Sequence, residues 1–98
     1  MTEKRAHPRV PCTLEVRCVG HGIDVVCQSR DVSVGGMFLH AEGAPAFGVE
    51  LRVRFTHKGQ TLEVPAVVRW AAPDGFGVQF GLMGARETHA LTELMRGT

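Results

Sequence analysis

From Cys12 onward apolar side chains recur at every second position, in runs too short to make helices, and most of these runs end at a glycine-bearing turn. A side-chain period of two is the period of a strand with one buried face. Cys12, Leu14, Val16 and Cys18 share one face of the first run, with Thr13, Glu15 and Arg17 on the other. Val19-Gly20-His21-Gly22 supplies a turn, and Ile23 to Arg30 resumes with Ile23, Val25 and Cys27 in phase. Gly35-Gly36 breaks the chain again, Met37 to Ala41 makes a short third strand, and Glu42 to Gly48 is a loop. Val49 to His57 and Leu62 to Ala72 form a hairpin across Lys58-Gly59. Val49, Leu51, Val53 and Phe55 line the inner face of its first strand, and Leu62, Val64, Ala66, Val68 and Trp70 that of its second. Pro73-Asp74-Gly75 then turns the chain into Phe76 to Leu82, the sixth strand.

After Gly84 the period changes, because Leu91, Leu94 and Met95 sit at i, i+3 and i+4 and Gly97 is placed to end a helix. The spacing predicts a helix over 84–96. Six short strands predict a mainly all-β chain, a six-stranded antiparallel β-barrel over 10–83 with the C-terminal α-helix across one mouth, since closure removes the edges an open sheet would expose. A chain of 98 residues holds one core, so 1–98 is read as a single domain whose residues 1–9 form an N-terminal arm.

Composition narrows the function. The formal net charge is only +1, too little for a general DNA or RNA binder, so any basic site is local. Five Phe and one Trp fall mostly on apolar faces, which leaves few stacking platforms for single strands. No apolar run approaches the ~20 residues of a membrane span, and Met1 to Pro8 is polar and charged, so the expectation is a cytoplasmic protein without membrane insertion. Cys12, Cys18 and Cys27 are odd in number without a C-x-x-C spacing and read as small core hydrophobes; no disulfide, metal or cofactor is expected. His7, His21, His40, His57 and His89 show no ligand spacing and read as surface or turn residues.

Two clusters carry chemistry. Lys4-Arg5-Ala6-His7-Pro8-Arg9 is the densest positive stretch, and Pro8 keeps His7 out of the helical region, so Arg5 and Arg9 are spaced along an extended arm. Two guanidinium forks on such an arm match phosphate oxygens or a guanine edge; a solvated terminus is the plainer alternative. The second cluster, Asp31-Val32-Ser33-Val34-Gly35-Gly36, closes the second strand. Extended geometry puts alternate side chains on opposite faces, and with Val32 and Val34 taken toward the core, Asp31 and Ser33 face outward together. A carboxylate there can accept from guanine N1-H and N2-H, and Gly35 and Gly36 permit close backbone approach; a turn whose polar side chains bond only local backbone is again the alternative.

Arg5-x-x-x-Arg9 followed by Asp31-x-Ser33-x-x-Gly36 resembles the paired motif of PilZ domains, bacterial receptors for cyclic di-GMP. Val68-Arg69-Trp70 and Gly75-Phe76-Gly77-Val78-Gln79-Phe80 also look like that family's final strands, so the resemblance covers nearly the whole chain. It implies a PilZ-type barrel whose arm and strand-end motif grip the ligand from two sides. Arg5 and Arg9 would take phosphates and guanine edges, Asp31 and Ser33 guanine, and Gly36 would shape the turn. In PilZ-like proteins the position of Lys4 is linked to whether one ligand or a stacked pair is held. Arg69, on the outer face, is a further candidate, and Trp70 is assigned to the core with a place beside a guanine as the alternative. An enzyme is not expected: Ser33 lacks a G-x-S-x-G elbow, and Asp31, two residues away, could not orient a distant histidine for it. The remaining alternative is a PilZ-like protein-interaction module that does not bind the nucleotide. A receptor of one domain would signal to an unidentified downstream protein by ordering its N-terminal arm on the ligand, which changes a partner-binding surface.

Overall fold

The computed structural model describes residues 9–96. It contains β1 (Val10–Pro11), β2 (Glu15–Gly20), β3 (Ile23–Val32), β4 (Gly36–His40), β5 (Glu50–His57), β6 (Gln60–Ala72), β7 (Gly75–Phe80) and α1 (Ala85–Arg96). All pairings are antiparallel, in the order β1-β3-β2-β5-β6-β7-β4, and β3 pairs with β4 to close the ring. Strands β2 to β7 therefore form the closed six-stranded barrel that the alternation predicts. The two-residue β1 continues the line of β2 along β3, pairing Val10 with Val32 and Pro11 with Asp31. Between them Cys12 N donates to Arg30 O (3.1 Å) and Ser29 N to Leu14 O (2.9 Å), so the strand expected from Cys12 is regular only from Glu15, and β1 precedes it as a separate piece.

The hairpins β2–β3 and β5–β6 turn on His21-Gly22 and Lys58-Gly59, whose residues all have positive φ. That is the geometry whose twist matches the flanking strands. Inside, Val16, Cys18, Val53, Leu62, Val64, Val68, Phe76 and Val78 are fully buried. Ala90 and Leu91 of α1 join the same core, and Leu94 and Met95 pack against it. Burial pushes the Cys18 thiol up to about 12 and raises Cys27 and Cys12 as well, as expected of thiols that fill space.

Two expectations need correction. Val25 does not share the core with Cys27; it is 44% exposed, although Ile23 on the same strand packs against the core. His57 is not a surface residue. Its side chain is 10% exposed and its Nε2 lies 2.8 Å from Glu93 Oε1, tying α1 to the end of β5.

Candidate functional site

The site is built where β3 loses its regularity. Approaching the site the inward residues are odd-numbered, Cys27 and Ser29 both being buried. At Val32 an even-numbered residue is fully buried. The register against β4 shifts between Ser29 and Asp31, so one extra residue, Arg30, is accommodated as a β-bulge. Without it Asp31 would follow Cys27 and Ser29 into the core. With it, Asp31 faces a cleft, its side chain 16% exposed.

The chain then leaves the strand, and Ser33 does not point outward beside Asp31 as alternation predicts. Ser33 is 4% exposed, and its Oγ accepts from Gly35 N (3.0 Å) and Gly36 N (3.1 Å) while lying 3.3 Å from Gly36 O. With Ser33 N donating to Gly36 O at 2.8 Å, the hydroxyl is the internal brace of the turn into β4. A Cβ on Gly36 would stand 2.2 Å from Val78 O, so the turn is pressed against β7 more closely than any side chain allows.

A second bulge lies across the cleft. Leu62, Val64, Ala66 and Val68 are buried in alternation, then the register of β6 against β7 shifts between Val68 and Trp70. Trp70 is thereby turned out of the core to which alternation assigned it, and it is 49% exposed. It lies over Gly77, where an added Cβ would come 2.4 Å from its ring. Arg69, within the shifted segment, donates from Nε to Gln79 Oε1 (3.0 Å) and lies 5.7 Å from the centroid of Phe47. Gln79 lines the cleft; Arg69 itself does not.

The two motif clusters meet here. Arg9 donates from an Nη to Asp31 Oδ1 at 2.6 Å, and its guanidinium lies 5.3 Å from the centroid of Trp70. Arg30 donates from Nε to Asp31 Oδ2 at 3.0 Å, with its guanidinium 4.0 Å from the centroid of Phe38. The carboxylate is thus held between two guanidinium groups, and the cluster of three charges is net positive. The surrounding cleft encloses about 710 Å³, a size typical of small-molecule sites, and Asp31, Ser33, Gly35, Gly36 and Trp70 all border it. Lys4 and Arg5 lie outside the described residues.

Arg30 and Phe38 were missed by sequence reasoning. Neighbours in a regular strand point to opposite faces, so the pattern of a regular strand does not bring Arg30 to the side of Asp31. A signal was present, since Cys27 and Val32 are both apolar and five apart, an odd spacing that one inward face cannot hold without a bulge. No local signal marks the bulge before Trp70.

A family model of the PilZ domain matches residues 3–97. No curated protein matches the chain. Among solved structures, the PilZ domain of CeSA from a cellulose-synthesizing bacterium superposes with a TM-score of 0.74 at 19% identity, covering 92% of this chain and 96% of that one. The PilZ domain of YcgR from Escherichia coli, solved with c-di-GMP, gives 0.75 at 13% identity over 97% and 91%. PlzA from Borreliella burgdorferi, in complex with c-di-GMP, gives 0.75 at 13% identity over 94% of this chain and 41% of its own.

Proposed function

The chain belongs to the PilZ domain family, and on that premise we propose that it is a non-catalytic receptor for cyclic di-GMP. The observation that carries this reading is the 2.6 Å contact between Arg9 and Asp31, which joins two motif clusters 22 residues apart at the edge of one cleft. The ligand is a dianion with two guanine bases. Arg9 and Arg5 would engage its phosphates and guanine edges through guanidinium forks, and Asp31 would accept from guanine N1-H and N2-H.

Ser33 and Gly36 serve the ligand indirectly. Ser33 spends its hydroxyl on the turn, and Gly36 lets that turn lie against β7, so the backbone around Gly35 is presented at the cleft floor. Trp70, bordering the cleft with an exposed face, suits stacking against a base. Arg69 would act at one remove, by fixing Gln79.

The ligand competes with Arg9 for Asp31, and the signal in this reading is the arm's change of partner. When Arg9 moves from carboxylate to phosphate, the ligand orders the arm through both arginines, altering a surface that a downstream protein reads. Lys4 adds a point charge beside Arg5 and so favours a second, stacked ligand.

Calorimetric titration with cyclic di-GMP and cyclic di-AMP tests the reading. Wild-type protein is expected to prefer the guanine ligand by ~100-fold, because adenine leaves the Asp31 acceptors unpaired. Asp31→Ala should erase most of that preference, and Arg9→Ala should abolish most of the binding. Absence of binding to either nucleotide would overturn the receptor and support the protein-interaction module instead.

A further inference from the structure

We propose that Arg30 is a positioning residue of this site: it holds the Asp31 carboxylate in its reading orientation while Arg9 exchanges partners. The proposal rests on the receptor reading above and adds a residue that lies outside both motif clusters.

The bulge is the first support. Side chains of adjacent strand residues point to opposite faces, so an ion pair between residues i and i+1 is foreign to a regular strand. The register shift between Ser29 and Asp31 brings Arg30 and Asp31 to the same side, with Nε 3.0 Å from Oδ2. Arg30 is then fixed from a second direction. Its guanidinium lies 4.0 Å from the centroid of Phe38, a buried residue of β4 whose register partner is Asp31 itself. Arg9, by contrast, lies 5.3 Å from its aromatic neighbour and sits just before β1. The two guanidinium groups on one carboxylate therefore differ in origin: Arg30 belongs to β3 in the barrel wall, while Arg9, the more buried of the two at 21% exposed, stands just before β1 at the end of the segment that carries the first motif.

The chemistry of the ligand requires such a division. A guanine edge offers two parallel donors, and a carboxylate accepts both only when its plane is fixed. Each oxygen has more than one acceptor position, so Oδ2 can keep Arg30 while it receives a base. Arg30 also solves a charge problem. Once Arg9 leaves for a phosphate, Asp31 would stand as an unpaired anion beside a dianionic ligand, and the guanidinium on Oδ2 neutralises it.

Titration of Arg30→Ala, Arg30→Gln and Arg30→Lys with cyclic di-GMP and cyclic di-AMP tests this, alongside the melting temperature of each free variant. Loss of a hydrogen bond to a charged group predicts about tenfold or greater weakening for the guanine ligand in the Ala and Gln variants. Their preference over cyclic di-AMP should fall as well, with melting temperatures close to wild type because Arg30 is half exposed. Lysine keeps the charge but cannot lie flat on Phe38 while aiming a fixed N-H at Oδ2, so its discrimination should stay reduced. Wild-type affinity and preference in the Ala and Gln variants would overturn the proposal. Full recovery of discrimination by Arg30→Lys would also overturn it, showing that charge alone is needed. If wild-type protein binds no cyclic di-GMP, the receptor reading itself falls, and this proposal with it.

Discussion

Gly36→Ala is expected to cripple the fold rather than remove a ligand contact, and the geometry gives the size of the effect. An alanine Cβ would lie 2.2 Å from Val78 O, 3.2 Å from its carbonyl carbon and 3.4 Å from Gln79 Cα. Even close carbon–oxygen contacts between strands need about 3.3 Å, so β4 and β7 must part by about 1 Å. The obstacle is backbone, and no side-chain rotation relieves it. Overpacking of this kind costs about 1–3 kcal/mol, and each ladder hydrogen bond lost adds about 1 kcal/mol. Gly36 pairs with Gln79 at the end of that ladder, where β3, β4 and β7 complete the ring, so a total near 3 kcal/mol is expected. For a domain of this length that lowers the melting temperature by roughly 12–24 °C. Thermal unfolding followed by far-ultraviolet circular dichroism reads the shift, with the exposed Gly43→Ala as control, since a Cβ there meets nothing within 4 Å. A Gly36→Ala melting temperature within about 3 °C of wild type would refute the steric reasoning and return the glycine to a role at the ligand.

Two further outcomes follow from contacts described above. Gly77→Ala meets the Trp70 ring at 2.4 Å, and this half-exposed side chain can swing away; the expected result is a shift in tryptophan emission and weaker cyclic di-GMP binding, with far less destabilisation than Gly36→Ala. An unchanged emission spectrum would count against the stacked placement of Trp70. The bond to His57, aided by Lys58 and His89, holds the Glu93 carboxyl below its usual value of 4.5. A depressed carboxylate contributes stability above its unfolded value, and that contribution is lost as pH falls through the folded value. The melting temperature of wild type should therefore exceed that of Glu93→Gln near neutrality, and the gap should close as pH drops below about 4.5. A gap independent of pH would disprove the link.

The barrel was legible because its alternation is long and clean where both neighbours are strands. Leu51, Val53 and Phe55 on β5 and Leu62, Val64, Ala66 and Val68 on β6 are all buried as the pattern requires. The helix was legible from Leu91 with Leu94 and Met95, though Ala90, equally buried, carries too little side chain to mark a face. The site was legible as chemistry but not as geometry. Asp31 faces the cleft as expected, yet for a different reason, and Ser33 turns inward because the strand ends at Val32. Trp70 was placed on the wrong face. Each of these differences comes from a bulge or strand end, and those are set by which residues the partner strand offers opposite, information that one strand's own sequence does not contain.

The two register shifts also divide the chain into parts that can change separately. Cys27 and Val68, before the shifts, answer to the packing of the interior, and Asp31 and Trp70, just after them, answer to whatever occupies the cleft. Repacking Cys27 or Val68 leaves the direction of Asp31 and Trp70 untouched. Removing the extra residue, Arg30 or Arg69, would restore regular pairing and leave the carboxylate and the indole on the outer side of the wall, but it would take from beside the cleft the guanidinium that the additional residue supplies to Asp31 or to Gln79.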